Sequence, residues 1–275
     1  MSKPSLARFY TPLGMAVLLA ASVGGATLSV YDQFDSVTAS ESLWTQINTN
    51  DWGDISFAGG EALVDMDTSA NTGNTGDTVR IVAATSPARF DNVGDEFRIT
   101  WDQALLGRGG DDGENNWGAG LFVDGITSFG VRGNANGGGA NRFSFMANGN
   151  FVAFTKSEIE NNDFHYDLVL TLASDDGQNE GTVDYELNVW ERDTGLDDTP
   201  DQYLDNTPTA TITDSATGGP LGQNLDLEYF TGPDGDAYGN QNRGAITVDN
   251  VFMIPEPTTF LLVLVTSAAA LRRRI

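Results

Sequence analysis

Between residues 78 and 190 the chain repeatedly places an apolar side chain at every second position, and this period of two constrains the fold more than any other feature. The clearest runs are Thr78-Val79-Arg80-Ile81-Val82-Ala83, Glu96-Phe97-Arg98-Ile99-Thr100-Trp101, Gly120-Leu121-Phe122-Val123, Arg142-Phe143-Ser144-Phe145-Met146, Tyr166 to Leu172 and Thr182 to Trp190. Successive side chains of a strand point to opposite faces, so each run predicts a strand with one buried and one wet face. No window holds a sustained helical period, and only Lys156 to Asp163 suggests a turn of helix. Between the runs lie clusters of Gly, Asn and Asp at Asn71–Asp77, Gly107–Asn116, Gly133–Asn141, Ser174–Gly181 and Gly232–Gly244. These residue types tolerate positive φ and tight reversals. About ten or more strands without interleaved helices predict an all-β fold, an antiparallel β-sandwich of jelly-roll type. No repeat period is present, which argues against a solenoid or propeller.

The two ends read differently. Lys3 and Arg8 precede the apolar run Leu13 to Val23, and small residues Gly24-Gly25-Ala26 follow. Cationic start, short apolar stretch and small-residue site are the order of a cleavable secretory signal, predicted here as a helix within residues 1–26 with cleavage near Ala26. At the other end Pro255-Glu256-Pro257 interrupts the chain, Phe260 to Leu271 is apolar, and Arg272, Arg273 and Arg274 close the sequence. Two prolines one residue apart end any strand or helix. The apolar run rises only about 20 Å as a helix against the ~30 Å hydrocarbon core, so it predicts a short transmembrane helix with a weak hold on the inner membrane. The arginines act as a cytoplasmic stop and leave the body on the far side. The expected organisation is a signal at 1–26, a β-sandwich domain at 27–251 and a sorting segment at 252–275.

This C-terminal segment resembles the PEP-CTERM sorting signal of Gram-negative bacteria, through Pro255, Glu256 and Pro257, the apolar span, and Arg272, Arg273 and Arg274. The same tail is sometimes catalogued as an ice-binding protein C-terminal domain, a label for the tail and not for the body. The resemblance implies recognition by an exosortase, a membrane enzyme of transpeptidase type, and an association with exopolysaccharide and biofilm matrix.

Composition removes whole classes of function. The chain carries a formal charge of −25, and residues 27–254 hold 9 basic against 38 acidic side chains. So negative a surface repels phosphate backbones and excludes a nucleic-acid partner. With no cysteine there is no disulfide, thiol nucleophile or Cys-zinc site. The single histidine, His165, excludes any site needing two imidazoles from one chain, and its place in a strand-like run gives it a structural reading.

Within the body, Val30 to Asp35, Leu43-Trp44 and Gly60 to Val64, with a closing strand at Gly244 to Val251, resemble the first and last strands of concanavalin A-like or laminin G-like jelly rolls. The resemblance implies two curved sheets, a face that binds carbohydrate in many relatives, and a first strand lying beside the last. Laminarinase-type glucanases of similar architecture carry catalytic carboxylates at alternate positions of one strand. The nearest match is Glu180, Asp184 and Glu186, but Glu180 stands too far from Asp184, and Asp184 and Glu186 alternate with the apolar Val183, Tyr185 and Leu187 as an ordinary wet face. No catalytic residue is assigned.

Two other chemistries remain. Acidic loops at Asp111-Asp112 and Asp234-Gly235-Asp236 offer hard oxygen ligands for calcium, without the spacing of an EF-hand. Aromatic faces stack on pyranose rings, and Trp52 and Trp117, in loop-like contexts, are the candidate carbohydrate platform. Trp101 and Trp190, at the ends of strong strands, are read as core. The expected function is that of an exported, exosortase-sorted protein of the cell surface or extracellular matrix whose non-enzymatic jelly-roll module binds polysaccharide. A glycan-active hydrolase or lyase of the same fold, and a purely structural matrix component, are the alternatives.

Overall fold

A computed structural model describes residues 29–48, 53–66, 79–106, 117–123, 126–134, 142–147, 150–155, 162–177, 181–192, 207–218, 221–222, 224–232 and 244–254. The chain starts with β1 (Ser29–Asp32), helix α1 (Val37–Leu43), β2 (Trp44–Asn48), β3 (Gly53–Ala58), β4 (Glu61–Met66), β5 (Val79–Ala83) and β6 (Ala88–Arg89). It continues with β7 (Glu96–Leu106), β8 (Trp117–Val123), β9 (Thr127–Asn134), β10 (Arg142–Ala147), β11 (Asn150–Thr155) and β12 (Asp163–Asp175). The last elements are β13 (Gly181–Glu191), β14 (Ala210–Thr217), β15 (Asn224–Leu225), β16 (Leu227–Gly232) and β17 (Gly244–Met253).

The alternation that predicts strands is the alternation that builds the core. In β13, Val183, Tyr185, Leu187 and Val189 are buried while Asp184 and Glu186 are exposed. Apolar side chains at every second position turn one face of each sheet inward, and two such faces close on each other. The main sheet runs β14-β13-β12-β7-β17-β4-β3, with β1 also paired to β17; the facing sheet runs β11-β10-β9-β8-β16-β5-β2, and β6 and β15 form a small ribbon. Every pairing is antiparallel. The antiparallel β-sandwich expected from the sequence is therefore observed, including the first strand beside the last.

Aromatic rings join the two layers. Trp101 and Tyr166 of the main sheet stack at 4.8 Å with an interplanar angle of 7°. Trp101 also meets Tyr229 of the facing sheet edge-on at 6.0 Å, and Phe145 meets Phe164 at 5.0 Å. Offset and edge-to-face pairs of this kind add about 0.5–1.5 kcal/mol each beyond area burial.

Helix α1 is not foreshadowed by any periodicity, because seven residues are too few to hold a helical stripe. Ser36 caps it, accepting from the Ala39 amide at 3.4 Å. Its real anchor is Asp32, whose carboxylate accepts from the Phe34 amide at 2.8 Å, the Ser40 hydroxyl at 3.1 Å and the indole Nε1–H of Trp44 at 2.9 Å. Asp32→Asn leaves one acceptor oxygen for three buried donors. We expect it to lower stability by about 2 kcal/mol, read as a lower midpoint in urea denaturation without change of slope.

Asp163 opens β12 rather than ending a turn of helix, and residues 156–161 lie outside the described residues. So do residues 1–28 and 255–275, which hold the expected signal helix and the sorting tail with Pro255, Glu256, Pro257, Arg272, Arg273 and Arg274. Among the described residues no helix is long and apolar enough to cross a membrane.

Candidate functional site

The outer face of the main sheet carries two polar features. The first is a buried cluster. Register pairs Trp190 with His165, His165 with Asp102, and Asp102 with Asp249, so these four positions form a line across β13, β12, β7 and β17. All four alternate with core residues and so face away from the sandwich interior, yet Asp102 and His165 are only 3 % exposed. A carboxylate so far from water needs partners. Asp102 Oδ1 lies 2.7 Å from His165 Nδ1, and Oδ2 accepts from Asn250 Nδ2 at 3.0 Å. The guanidinium Nε of Arg192 stands 3.4 Å from the same Oδ2 and its terminal nitrogen 3.9 Å from Asp163. His165 also meets the indole of Trp190 at 6.0 Å.

Asn250 is the hinge of this cluster. It sits at a bulge, where the β17–β7 register shifts between Asp249 and Phe252, and takes the left-handed φ of 50° that Asn tolerates better than most residues. Its backbone amide and Nδ2 donate to the Asp249 carboxylate at 2.6 and 3.1 Å, and its Oδ1 accepts from Gln33 at 3.4 Å. Burial pushes the Asp249 carboxyl up to about 7; the charges of Asp102 and Glu61 push the same way, while the Asn250 amide and Arg192 oppose them. Glu61 is likewise raised, by burial first and then by Asp163.

The second feature is an open groove of about 500 Å³ over β12, β13 and β14. Register sets its floor as two rows of three side chains, Thr171–Asp184–Ser215 and Val169–Glu186–Thr213. Ser215 donates to Asp184 at 2.6 Å and Asn188 to Glu186 at 2.7 Å. On its rim Asp214 is held below the usual carboxylate range by hydrogen bonds from the Ser215 backbone and from Asn150. Tyr185, between the two groove carboxylates in sequence, turns inward and donates to the Ala147 carbonyl at 3.2 Å. Hydroxyls and ionised carboxylates at this spacing can hydrogen-bond a polyhydroxylated chain lying across the strands.

The sequence reading of Asp184 and Glu186 as the outer face of their strand is borne out, and Glu180 lies outside the described residues. Trp101 is core, as expected. Trp190 is buried too, as expected, but outside the main core cluster: its even number puts it in phase with Asp184 and Glu186, and it packs on the outer face of the sheet against His165. His165 and Asp102 form a pair that no local pattern announces. Trp117 opens β8, its side chain lying outside the described part, and Trp52, Asp111, Asp112, Asp234 and Asp236 lie outside the described residues altogether. Among the described residues no group of three or more His, Asp or Glu side chains is arranged to hold a metal ion.

No protein-family model matches the chain, and no curated protein matches it in sequence. Among solved structures it is similar to an endo-1,3-beta-glucanase from Streptomyces sioyaensis, at 12 % identity and a TM-score of 0.38, over 83 % of this chain and 95 % of that one. It is also similar to arcelin-5, a lectin-like defense protein from Phaseolus vulgaris, at 12 % identity and a TM-score of 0.37, over 77 % and 97 % of the two chains. The lectin UEA-II complexed with galactose is similar at 12 % identity and a TM-score of 0.32, over 75 % and 98 %. These likenesses assign no residue of this chain to a site.

Proposed function

We propose that this chain is an exported, non-enzymatic surface or matrix protein, sorted through its Pro255-Glu256-Pro257, apolar and triple-arginine tail, whose β-sandwich binds polysaccharide in the groove over β12 to β14. The observation that carries the binding reading is the two-by-three grid of side chains on the groove floor, an open polar strip without a deep pocket. A strip of this shape suits a polymer better than a small molecule. The exposed acidic side chains of Asp184, Glu186 and Asp214 bias it against anionic polysaccharides and toward neutral or amino-sugar chains.

The test is binding of the folded protein to immobilised neutral, amino-sugar and uronic-acid polysaccharides. Thr213→Ala/Glu186→Ala removes two exposed floor positions, leaves the core face untouched, and is expected to weaken binding by about tenfold. Wild-type protein that retains none of these polymers would sink the binding role and favour a structural matrix component. Release of reducing ends, abolished by Glu186→Gln, would instead favour the glycan-active hydrolase. For the tail, mass spectrometry of the surface form is expected to find a C-terminus before Phe260; retention of Arg274 there would replace sorting by permanent anchoring.

A further inference from the structure

We propose that the cluster around Asn250 is a pH-sensitive latch, pinning the junction of the first and last strands while Asp249 is protonated and loosening that junction once Asp249 is charged. Its place in the topology gives it this leverage. Up to Val248, β17 lies between β7 and β4; from Val251 onward it lies between β7 and β1, with Val251 opposite Asp32, Phe252 opposite Val30 and Met253 opposite Ser29. The change of neighbour occurs at the Asp249–Asn250 bulge. Strand β1 pairs with no other strand among the described residues, so it depends on this short stretch of β17. The bulge is fixed by the Asn250 side chain, whose Nδ2 serves Asp102 and Asp249 at once, at 3.0 and 3.1 Å, and whose Oδ1 accepts from Gln33, just after β1.

The charged groups that act on Asp249 are Asp102 from β7, Arg192 just after β13 and Glu61 from β4; behind them, from β12, His165 meets Asp102 and Asp163 meets Arg192 and Glu61. Four carboxyls, those of Asp102, Asp249, Asp163 and Glu61, thus interact with the Arg192 guanidinium among the described residues. Burial and the charges of Asp102 and Glu61 raise Asp249 to about 7, so its carboxyl gains or loses a proton near neutral pH. A carboxyl whose folded value is raised contributes stability that is full below its ordinary value of 3.8 and is lost as the pH climbs through about 7. Above that point Asp249 is an anion repelled by Asp102, with which it shares the Asn250 side-chain amide, and the repulsion acts on the bulge that supports β1.

The experiment is hydrogen exchange on the full-length chain between pH 5.5 and 9, with protection factors corrected for intrinsic rates, at the amides of Val251 to Met253 and of β1. Protection there is expected to fall by about tenfold through a midpoint near 7, while central strands such as β12 stay protected. Asp249→Asn, neutral and isosteric but with one acceptor oxygen fewer, should remove the transition, leaving a protection at the junction that no longer depends on pH. Glu61→Gln, on an exposed position, should move the midpoint to lower pH. Protection that does not vary with pH in the wild type overturns the latch, as does an unchanged profile in Asp249→Asn. A midpoint that stays in place in Glu61→Gln also counts against it.

Discussion

Asp102→Ala is expected to destabilise the protein by about 3–5 kcal/mol, because it removes the common acceptor of a buried cluster and leaves its donors behind. His165, 3 % exposed, would lose its 2.7 Å partner, Asn250 one of its two carboxylates, and Arg192 its nearest counter-ion. At the entropy of unfolding typical of a domain this size, each kcal/mol moves the melting temperature by about 2–4 °C, so a drop of roughly ten degrees is the readout. Taking out both sides of the main contact should hurt less than taking out one. Asp102→Leu/His165→Phe substitutes apolar contact for a buried polar pair, and part of the lost stability is expected to return. If the single variant melts within a degree or two of wild type, the cluster contributes nothing net to the fold, and its role as a latch fails with it.

Gly120→Val is expected to be at least as damaging, for a reason confined to the backbone. Gly120 and Gly130 face each other across β8 and β9, with φ of +151° and +149°. A Cβ on Gly120 would sit 2.3 Å from the Phe129 carbonyl oxygen and 2.8 Å from the Gly130 Cα, and a Cβ on Gly130 would meet the Ala119 oxygen at 2.4 Å. None of these atoms is the movable end of a side chain, so the strands must part. The flanking Phe230 and Met146, buried although they face away from the core, pack beside the bare glycine pair on the same row of the sheet. A cost of about 3 kcal/mol or more follows, with Gly120→Ala nearly as severe because the first carbon already clashes. Gly177→Ala is the control: its φ of +71° carries a strain of about 1 kcal/mol, but nothing lies within 4 Å of the added carbon. Equal losses in the two alanine variants would show that backbone conformation, not close approach, sets the cost.

Much of the fold was legible in advance because a half-buried strand writes its environment into alternate residues. Val79, Ile81 and Ala83 in β5, and Val183 to Val189 in β13, are core in the phase their spacing predicted. The same alternation placed Asp184 and Glu186 outward, and these are the middle pair of the six side chains on the groove floor. What it left out was which strands lie side by side. Thr213 and Ser215 join Asp184 and Glu186 only because β14 pairs with β13, and Val169 and Thr171 only because β12 does on the other side. Trp190 is buried as its place in a strong strand predicts, yet its phase turns it outward, and only the pairing with β12 supplies the His165 ring it packs against.

The buried cluster was beyond any local signal. Asp102 and His165 are 63 residues apart, and Asp102 and Asn250 are 148 apart. By alternation each belongs to a wet face, and nothing in a period of two says that this part of the face is covered. Helix α1 was equally silent, since its stability comes from Asp32 reaching three donors rather than from a helical stripe.

The order of residues along the chain thus settles the fold class, the inward and outward phase of the strong strands and the acidity of the surface, since each depends only on near neighbours and composition. Strand order, the Gly120–Gly130 contact, the bulge at Asn250 and the meeting of Asp102 with His165 were decided in three dimensions. Hydrogen bonds between strands join backbones whatever their side chains, so a period of two specifies a strand's faces but not its neighbours.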